Sequence, residues 1–529
     1  MTFPHVSNST RQRARIVTVM ASSAAQDPPH AAVPAVCGIL AAAAALALSE
    51  FLAGLLPAVP SLVLAVGAGV IDLAPSPLKN VAVAVFGTAD KPALLTGVVV
   101  LSGIAGAGLG IAAARRFWIG IAGFTAFGLL GAVAGLFDPQ ASAFAGAASA
   151  TLSTLAGIWV LRQLMNALAA RGTPQGRRRF LALAGVTSSL ALIGVATGRW
   201  LVQGRALTLA QREAVRLPRA NRTLPSPAAS TSLDVPGLLH IVTPNAYFYR
   251  IDTALSVPQV DLTQWRVSID GMVDRPASFS FDDLLGMDLI EADVTLCCVS
   301  NEVGGDLIGN ARWLGVPLSH LLDRVGVQPG ADQIVGHSVD GWTGGFPTEA
   351  ARDGRNALVA IGMNGEPLPV EHGFPARLVV PGLYGYVSAT KWLSRIQLVT
   401  WEGFDGYWIV RGWSKEGPIK TQSRIDVPKA NAVVTAGPTA IAGVAWAQHR
   451  GIRRVEVQVD DRPWREARLA GELHVDTWRQ WVFEWHATSG THRIRVRATD
   501  ATGETQTSVI TPSAPNGATG YHTIRVTVT

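Results

Sequence analysis

The feature that most restricts this chain is a block of charge-poor, apolar sequence near its start. Five apolar runs lie there, at roughly 33–57, 92–114, 117–137, 143–164 and 180–202. A helix crossing the hydrocarbon core of a bilayer needs about 20 apolar residues, and each run reaches that length. The runs are too long and too free of charge to be the buried helices of a soluble bundle. Shorter stretches, Pro60–Ile71 and Val81–Phe86, fall short of a span and are expected to be re-entrant or interfacial. The whole chain of 529 residues is 48% hydrophobic, an average that hides an apolar first part and an ordinary globular remainder.

Arginine placement sets an orientation. Arg11, Arg13 and Arg15 precede the first run, Arg115 and Arg116 separate the second and third, and Arg162, Arg171 and Arg177–Arg179 lie between the fourth and fifth. The alternate connections carry only Lys79 and Lys91, and none in Asp138–Ser142. The positive-inside rule then predicts a multi-pass cell-membrane protein with a cytoplasmic N-terminus, five crossings, and everything after residue 202 on the outer face. Membrane lipid is thus a partner. The net charge of +6 reads partly as a topology signal and gives no reason to expect nucleic acid. Gly176-Arg-Arg-Arg-Phe-Leu-Ala-Leu-Ala-Gly185 reads equally as topogenic arginines or as a twin-arginine export signal, which moves folded, cofactor-loaded proteins. Glu50, near the outer end of the first run, reads as a functional carboxylate or as a headgroup-level residue.

Beyond the runs, a Pro-, Ser-, Ala- and Arg-rich linker is expected over 203–236, with Leu224–Ser232 its least structured part. Residues 237–427 read as mixed α/β sequence. Gln264–Asp270 alternates as a half-buried strand does, Phe281–Leu285 starts a helix, Val316–Val325 is an amphipathic helix, and Arg377–Pro381 and Ile396–Val399 are strands. From 428 to 529 short alternating segments such as Arg453–Asp460, Gln480–Trp485 and His492–Ala498 suggest an immunoglobulin-like β-sandwich.

Two of the three cysteines, Cys297 and Cys298, are adjacent in Thr295-Leu-Cys-Cys-Val-Ser-Asn-Glu302. Neighbours at a strand end point to opposite faces, so at most one thiol faces a given cleft. No zinc-ligand spacing surrounds them. A Cys-His nucleophile with His320, His337 or His372 as base stays open, with no local signature behind it.

Several ordered motifs now accumulate. Thr243-Pro-Asn-Ala-Tyr-Phe-Tyr-Arg250, Thr295–Asn301, Asn310-Ala-Arg-Trp-Leu-Gly-Val-Pro-Leu318, Met363–Gly382 with its His-Gly-Phe-Pro-Ala-Arg core, and Ser388-Ala-Thr-Lys-Trp-Leu393 resemble the sulfite-oxidase family of molybdopterin enzymes. The resemblance covers residues from about 240 to 529 and implies a three-part architecture. A transmembrane α-helical bundle (1–202) and the linker precede an α+β molybdopterin domain (237–427). A C-terminal sandwich (428–529) follows, similar to the family's dimerisation domain, so a homodimer is a candidate assembly. It implies that Cys298 ligates molybdenum while Cys297 is only its neighbour. Asn301 lies in the same motif. Tyr249, Arg250, Arg312, His372, Arg377, Ser388 and Lys391 become candidate cofactor contacts, the cations for the pterin's phosphate. For the cations the alternative is surface salt-bridging, and for His372 a satisfied structural histidine.

Two departures bear on the substrate. Glu302 stands where sulfite oxidases carry an arginine, and a carboxylate there repels a small oxyanion. Trp342, with Asp340 beside it, stands where the family's active-site tyrosine region aligns, and tryptophan cannot titrate near neutral pH. Glu302 and Asp340 read alternatively as surface carboxylates. Sulfite is therefore disfavoured, and an uncharged or cationic oxygen donor or acceptor is expected as the small-molecule substrate. No histidine lies between His30 and His240 and no haem-attachment motif is present, so no haem is expected in this chain. Electrons are expected from a quinone or an external redox protein. The rival to an oxidoreductase is a noncatalytic sensor or assembly module that keeps the fold.

Overall fold

The computed structural model of the protein describes residues 31–56, 58–74, 85–86, 89–138, 141–204 and 207–529. Arg11, Arg13, Arg15, Lys79 and most of Val81–Phe86 lie outside these.

The first part is a helical bundle: α1 (Ala32–Leu55), α2 (Leu62–Leu73), α3 (Asp90–Arg115), α4 (Phe117–Leu136), α5 (Ala143–Ala169) and α6 (Pro174–Gly204). All but α2 are long and apolar enough to cross a membrane. The short stretch expected at Pro60–Ile71 forms α2, capped by Ser61, whose hydroxyl accepts from the Leu64 N–H at 3.2 Å and donates to Glu50 at 2.6 Å. Arginine is a good helix former, so α6 takes in Arg177–Arg179 and begins ahead of its apolar run. α1 packs against α3, α5 and α6. Glycine makes this possible: a Cβ on Gly38 would stand 1.9 Å from the Gly106 carbonyl oxygen, and one on Gly54 2.5 Å from Gly198 Cα. Gly106 and Gly110 share a helix face, the small-residue spacing that lets membrane helices approach closely.

Residues 203–236 are less of a free linker than the composition suggests. α7 (Leu207–Ala214) is followed by extended chain tied down along its length. Arg212 donates to the Leu368 carbonyl at 2.8 Å, the Asn221 N–H to that of Leu289 at 2.8 Å, and the Leu224 N–H to Glu291 at 2.7 Å.

The middle part, from Arg266 to Val399, holds two sheets. Its strands are β1 (Arg266–Gly271), β2 (Ala277–Ser280), β3 (Ile290–Cys297), β4 (Ile308–Pro317), β5 (Gln333–Ser338), β6 (Thr343–Pro347), β7 (Leu358–Met363), β8 (Glu366–Pro367), β9 (Arg377–Val379) and β10 (Leu393–Val399). One sheet runs β2-β1-β10-β5-β6 and the other β3-β4-β7-β8, with β9 on β7. Helix α8 (Phe281–Leu285) starts with a capping box between Ser280 and Asp283. α9 (Leu318–Val325) buries Leu318, Leu321, Leu322 and Val325 in the core at helical spacing.

The last part is a sandwich of two sheets around a core that includes Trp481, Trp485, Ile494 and Val496. Its first strand, β11 (Gln422–Val427), pairs antiparallel with the strand Gly437–Trp446 and so lies ahead of the expected boundary at 428.

Candidate active site

A cavity enclosing about 910 Å³ of empty space, part of it open to solvent, lies where the two sheets of the middle part meet. β3 delivers the first functional side chain. Paired along its length with β4, it ends at Cys297, and the Cys298 N–H donates to the Leu307 carbonyl at 2.9 Å. Alternation then separates the thiols. Cys298 lines the cavity; Cys297, 2% exposed, belongs to the hydrophobic core and does not. Burial raises the Cys298 thiol, partly offset by hydrogen bonds from Ser300. A free thiol at this site stays protonated at neutral pH, and a bound soft metal would hold it as thiolate.

Arg377, His372 and Lys391 converge on the same cavity. Arg377 opens β9, is 5% exposed and stands 5.1 Å over the Trp313 ring. Its guanidinium reaches only carbonyl oxygens, those of His372 (3.1 Å), Ala389 (3.4 Å) and Leu378 (3.4 Å). Among the described residues no carboxylate pairs with it. Burial lowers its pKa to about 10, which leaves it a cation at neutral pH. A buried charge without a counter-charge is costly, so this position asks for an anion. His372 is brought down to about 4, by burial first and then by Arg377 and Lys391, and is neutral; its Nε2 lies 3.3 Å from the Asn245 carbonyl. Lys391 is lowered to about 8 by burial, against the pull of Asp252, whose carboxylate it meets at 2.8 Å. Tyr249 also lines the cavity, its hydroxyl pushed well up by burial and then by the two thiols.

Asp340 and Trp342 reach the cavity from the turn between β5 and β6. There the Trp342 N–H donates to Asp340 Oδ1 at 3.1 Å and the Ser338 N–H to the Trp342 carbonyl at 2.8 Å.

Other expected residues are placed elsewhere. After Cys298 the chain turns, the Asn301 N–H donating to the Cys298 carbonyl (3.1 Å) and the Gly305 N–H to that of Glu302 (2.8 Å). Glu302 is carried outward, is exposed and does not line the cavity, so the charge-repulsion argument loses its geometric basis. Asn301 is 3% exposed; its Oδ1 accepts from the Leu307 N–H at 2.8 Å, while its Nδ2 is buried without a partner. Arg312 is engaged in a two-point pair with Asp293 (2.9 and 2.8 Å) and with the carbonyls of Leu224 and Pro225, away from the cavity. Arg250 is exposed and bonds Asp252 at 2.9 Å. Ser388 returns its hydroxyl to the Tyr384 carbonyl at 3.0 Å and lies outside the cavity lining.

Sequence reasoning missed much of the wall. Tyr386, Trp408 and Trp413 line the cavity, and the Tyr386 hydroxyl donates to the Ser414 carbonyl. The aromatic density of Trp401–Trp413 was the available signal. Also missed was Asp252, whose side chain is 4% exposed and binds Lys391, Arg250 and Lys91 together. These charges hold its carboxyl well below the usual range. Lys91 comes from the first turn of α3, so a bundle helix braces the cavity wall. A second brace joins Asp72 of α2 to Arg411 and to the Tyr407 hydroxyl, both at 2.8 Å.

The donor set fits a group that brings its own sulfur and phosphate. Among the described residues no three His, Cys, Asp or Glu side chains cluster as a metal site, yet the Cys298 thiol and the buried, unpaired Arg377 line one cavity, and Asn301, whose amide Nδ2 is unpartnered, hydrogen-bonds the Cys298 backbone behind it. The Cys-His alternative has less geometry behind it. His320 is exposed, His337 pairs with Gln397 at 3.0 Å, neither lines the cavity, and His372 is turned to a backbone carbonyl.

Residues 254–408 match the model of the oxidoreductase molybdopterin binding domain, and residues 422–496 that of a bacterial Ig domain. An uncharacterized oxidoreductase of Bacillus subtilis, YuiH, is 36% identical over 157 residues, covering 30% of this chain and 76% of that protein. Mitochondrial sulfite oxidase of Mus musculus is 29% identical over 320 residues, covering 51% of this chain and 58% of its own length. The chain thus spans less than two thirds of that relative. The sulfane dehydrogenase SoxCD of Paracoccus pantotrophus aligns over 53% of this chain and 80% of its own, at 25% identity and a TM-score of 0.48. By its domain match and these relatives, the chain belongs to the sulfite-oxidase family of molybdopterin-dependent oxidoreductases.

Proposed function

We propose that this protein is a membrane-anchored molybdenum enzyme whose catalytic unit works outside the cytoplasmic membrane, moving an oxygen atom to or from a small non-sulfite substrate while two electrons move the opposite way. The observation that carries the reading is the meeting of Cys298 with Arg377 in one cavity, a soft ligand beside a buried cation that lacks a counter-charge. Cys298 would hold the metal. Arg377 and Lys391 would hold the anionic end of the pterin, with neutral His372 as hydrogen-bond partner. When bound, the cofactor supplies a centre that exchanges an oxygen atom and an electron pair with substrate.

The chain's own residues then set what enters. Trp342, Trp408, Trp413 and Tyr386 give an aromatic wall with the Asp340 carboxylate at its edge, while the cavity's other carboxylate, Asp252, is taken up by its three cations. Such a wall favours a neutral or cationic molecule, such as a sulfoxide or an amine oxide, over sulfite. Glu302, exposed and outside the cavity, takes no part in that preference. The outward placement is supported by the arginine pattern and by the braces. Lys91 attaches the catalytic unit at the start of α3, the end opposite Arg115 and Arg116, and Asp72 attaches it at the end of α2.

Metal and pterin analysis of the full chain purified from membranes tests the cofactor. A molybdenum(V) signal that appears on partial reduction and is discharged by a sulfoxide or an amine oxide tests the activity. Bound cofactor with no discharge by any oxide would favour a noncatalytic sensor or assembly module.

A further inference from the structure

We propose that a second cavity, inside the helical bundle, binds a quinone-class carrier from the bilayer and that this carrier exchanges electrons with the catalytic unit. The proposal rests on the catalytic reading above and names its redox partner.

The cavity encloses about 760 Å³ of empty space, part of it continuous with the bundle surface, between α1, α2, α3, α4 and α5. Leu46, Val66, Val98 and Phe124 help to line it, and no lining residue is ionisable. Phe127, on the wall, is 45% exposed, which gives a lipid-dissolved molecule a lateral way in. One polar group points to the ligand. Ser153 lines the cavity, is 3% exposed, and its hydroxyl has no partner among the described residues. Two other hydroxyls of the wall are satisfied within their own helices, Ser102 by Val98 and Thr154 by Ala150, each at 2.7 Å. A buried hydroxyl in hydrocarbon is costly unless it finds an oxygen. An acyl chain would fill the apolar walls and leave Ser153 unpaired. An ion would meet no charge. A ring bearing carbonyl or hydroxyl oxygens on an isoprenoid tail satisfies both the walls and the serine.

The cavity is joined to the catalytic one. Val66 of α2 lines it, and six residues further, about 9 Å along the helix, Asp72 bonds Tyr407 and Arg411. From Tyr407 the rings of Trp408, Trp413 and Tyr386 follow at centroid spacings of 5.2, 6.2 and 5.9 Å, and these last three line the catalytic cavity. In the reductive direction the quinol loses two electrons and two protons and becomes the quinone. The acceptor oxide takes two electrons and two protons, its X=O bond breaks, and the oxygen leaves as water.

The test uses the full chain in nanodiscs, with decylubiquinone as probe and with both decylubiquinol and reduced methyl viologen as donors to dimethyl sulfoxide. Saturable binding is expected, weakened about 5- to 10-fold by Ser153→Ala, the loss of one hydrogen bond, and at least about 10-fold by Val98→Trp, which fills the cavity. Quinol-driven turnover should fall in step, while molybdenum content and viologen-driven turnover stay within about twofold. Ser153→Ala is nearly isosteric and keeps the test decisive if the bulkier variant fails to fold. Binding unchanged in the variants, or displaced equally well by dioleoylphosphatidylcholine, would overturn the proposal. Probe binding with no viologen-driven turnover in the wild type would support the site and remove the catalytic reading instead.

Discussion

In the bundle the tightest contacts set backbone against backbone, as where Gly38 meets Gly106 and Gly54 meets Gly198. In the catalytic unit they set charge against charge or leave it uncompensated, as with Asp252 among three cations and Arg377 with no opposite charge paired to it among the described residues. Lipid offers a helix no hydrophobic gain on association, so small residues and close packing must hold the bundle together. The catalytic unit has a water-driven core and can bury charge because that core is already stable. The two regions therefore fail in different ways when altered.

The largest effect is expected at the cysteine pair. Cys298→Ala should remove molybdenum and lower turnover at least about 100-fold, because the remaining cavity offers no second thiolate. Cys297→Ala trims a core side chain that does not face the cavity and should cost about 1 kcal/mol of stability, with turnover within about threefold. Metal content and turnover of both variants, measured side by side, check this. Equal loss in the two would sink the assignment.

Next comes the bundle. Gly38→Leu drives a side chain into the Gly106 carbonyl, backbone that cannot swing away, and should prevent assembly of α1 with α3. The expected result is loss of the folded full chain from membranes. Recovery of wild-type amounts with an unchanged thermal midpoint would show that the helices do not pack this way.

A pair of arginines sharpens the contrast within the catalytic unit. Arg312→Ala strands Asp293, whose side chain is 3% exposed, and should destabilise the fold by about 3 kcal/mol while leaving the pterin-to-protein ratio of the folded enzyme unchanged. Arg377→Met should do the reverse, lowering pterin content several-fold with little change in thermal midpoint, since a buried cation without a counter-charge gains from replacement by an apolar side chain. Thermal unfolding and pterin quantification together separate the two.

That contrast also marks how far the sequence could be read. Five helices of spanning length were legible because each comes from a long apolar run with little charge. Their packing was not, since nothing in α1 alone says that Gly38 will face Gly106. Cys298, His372, Arg377 and Lys391 were legible as motif positions, and so was Arg312. What separates Arg312 from Arg377 is which face of its strand each occupies and whether a carboxylate lies across from it, and Asp293 reaches Arg312 only through the antiparallel β3–β4 register. Glu302 misled for a similar reason: adjacency to the cysteine along the chain was taken for adjacency in space, and the turn at Asn301 breaks that link. Asp252 and Lys91 were invisible because their meeting joins residues 161 positions apart.

The smallest expected effect tests whether bundle and cavity are electrically coupled. Lys391 has a pKa of about 8, below its ordinary 10.5, so it is a cation at neutral pH and loses its charge as pH rises through about 8. Asp252 opposes that loss, while Arg377 and Arg250 favour it. If Lys391 holds the anionic end of the pterin, the affinity of cofactor-free enzyme for it should fall above about pH 8, by no more than tenfold per pH unit. Lys91 shares Asp252 with Lys391, meeting the same carboxylate at 2.9 Å. Removing it in Lys91→Met leaves Asp252 to Lys391 and Arg250 and takes a neighbouring positive charge away, which strengthens Lys391's hold on the proton and moves the midpoint of the affinity loss to higher pH, by a few tenths of a unit. The sign matters more than the size. A brace that served only to anchor the two parts would lower affinity at every pH and leave the midpoint where it was. Titrating cofactor affinity against pH in wild type, Lys91→Met and the Asp72→Asn variant of the other brace, which touches Arg411 and Tyr407 but not Asp252, distinguishes the two, since only Lys91→Met should shift the midpoint.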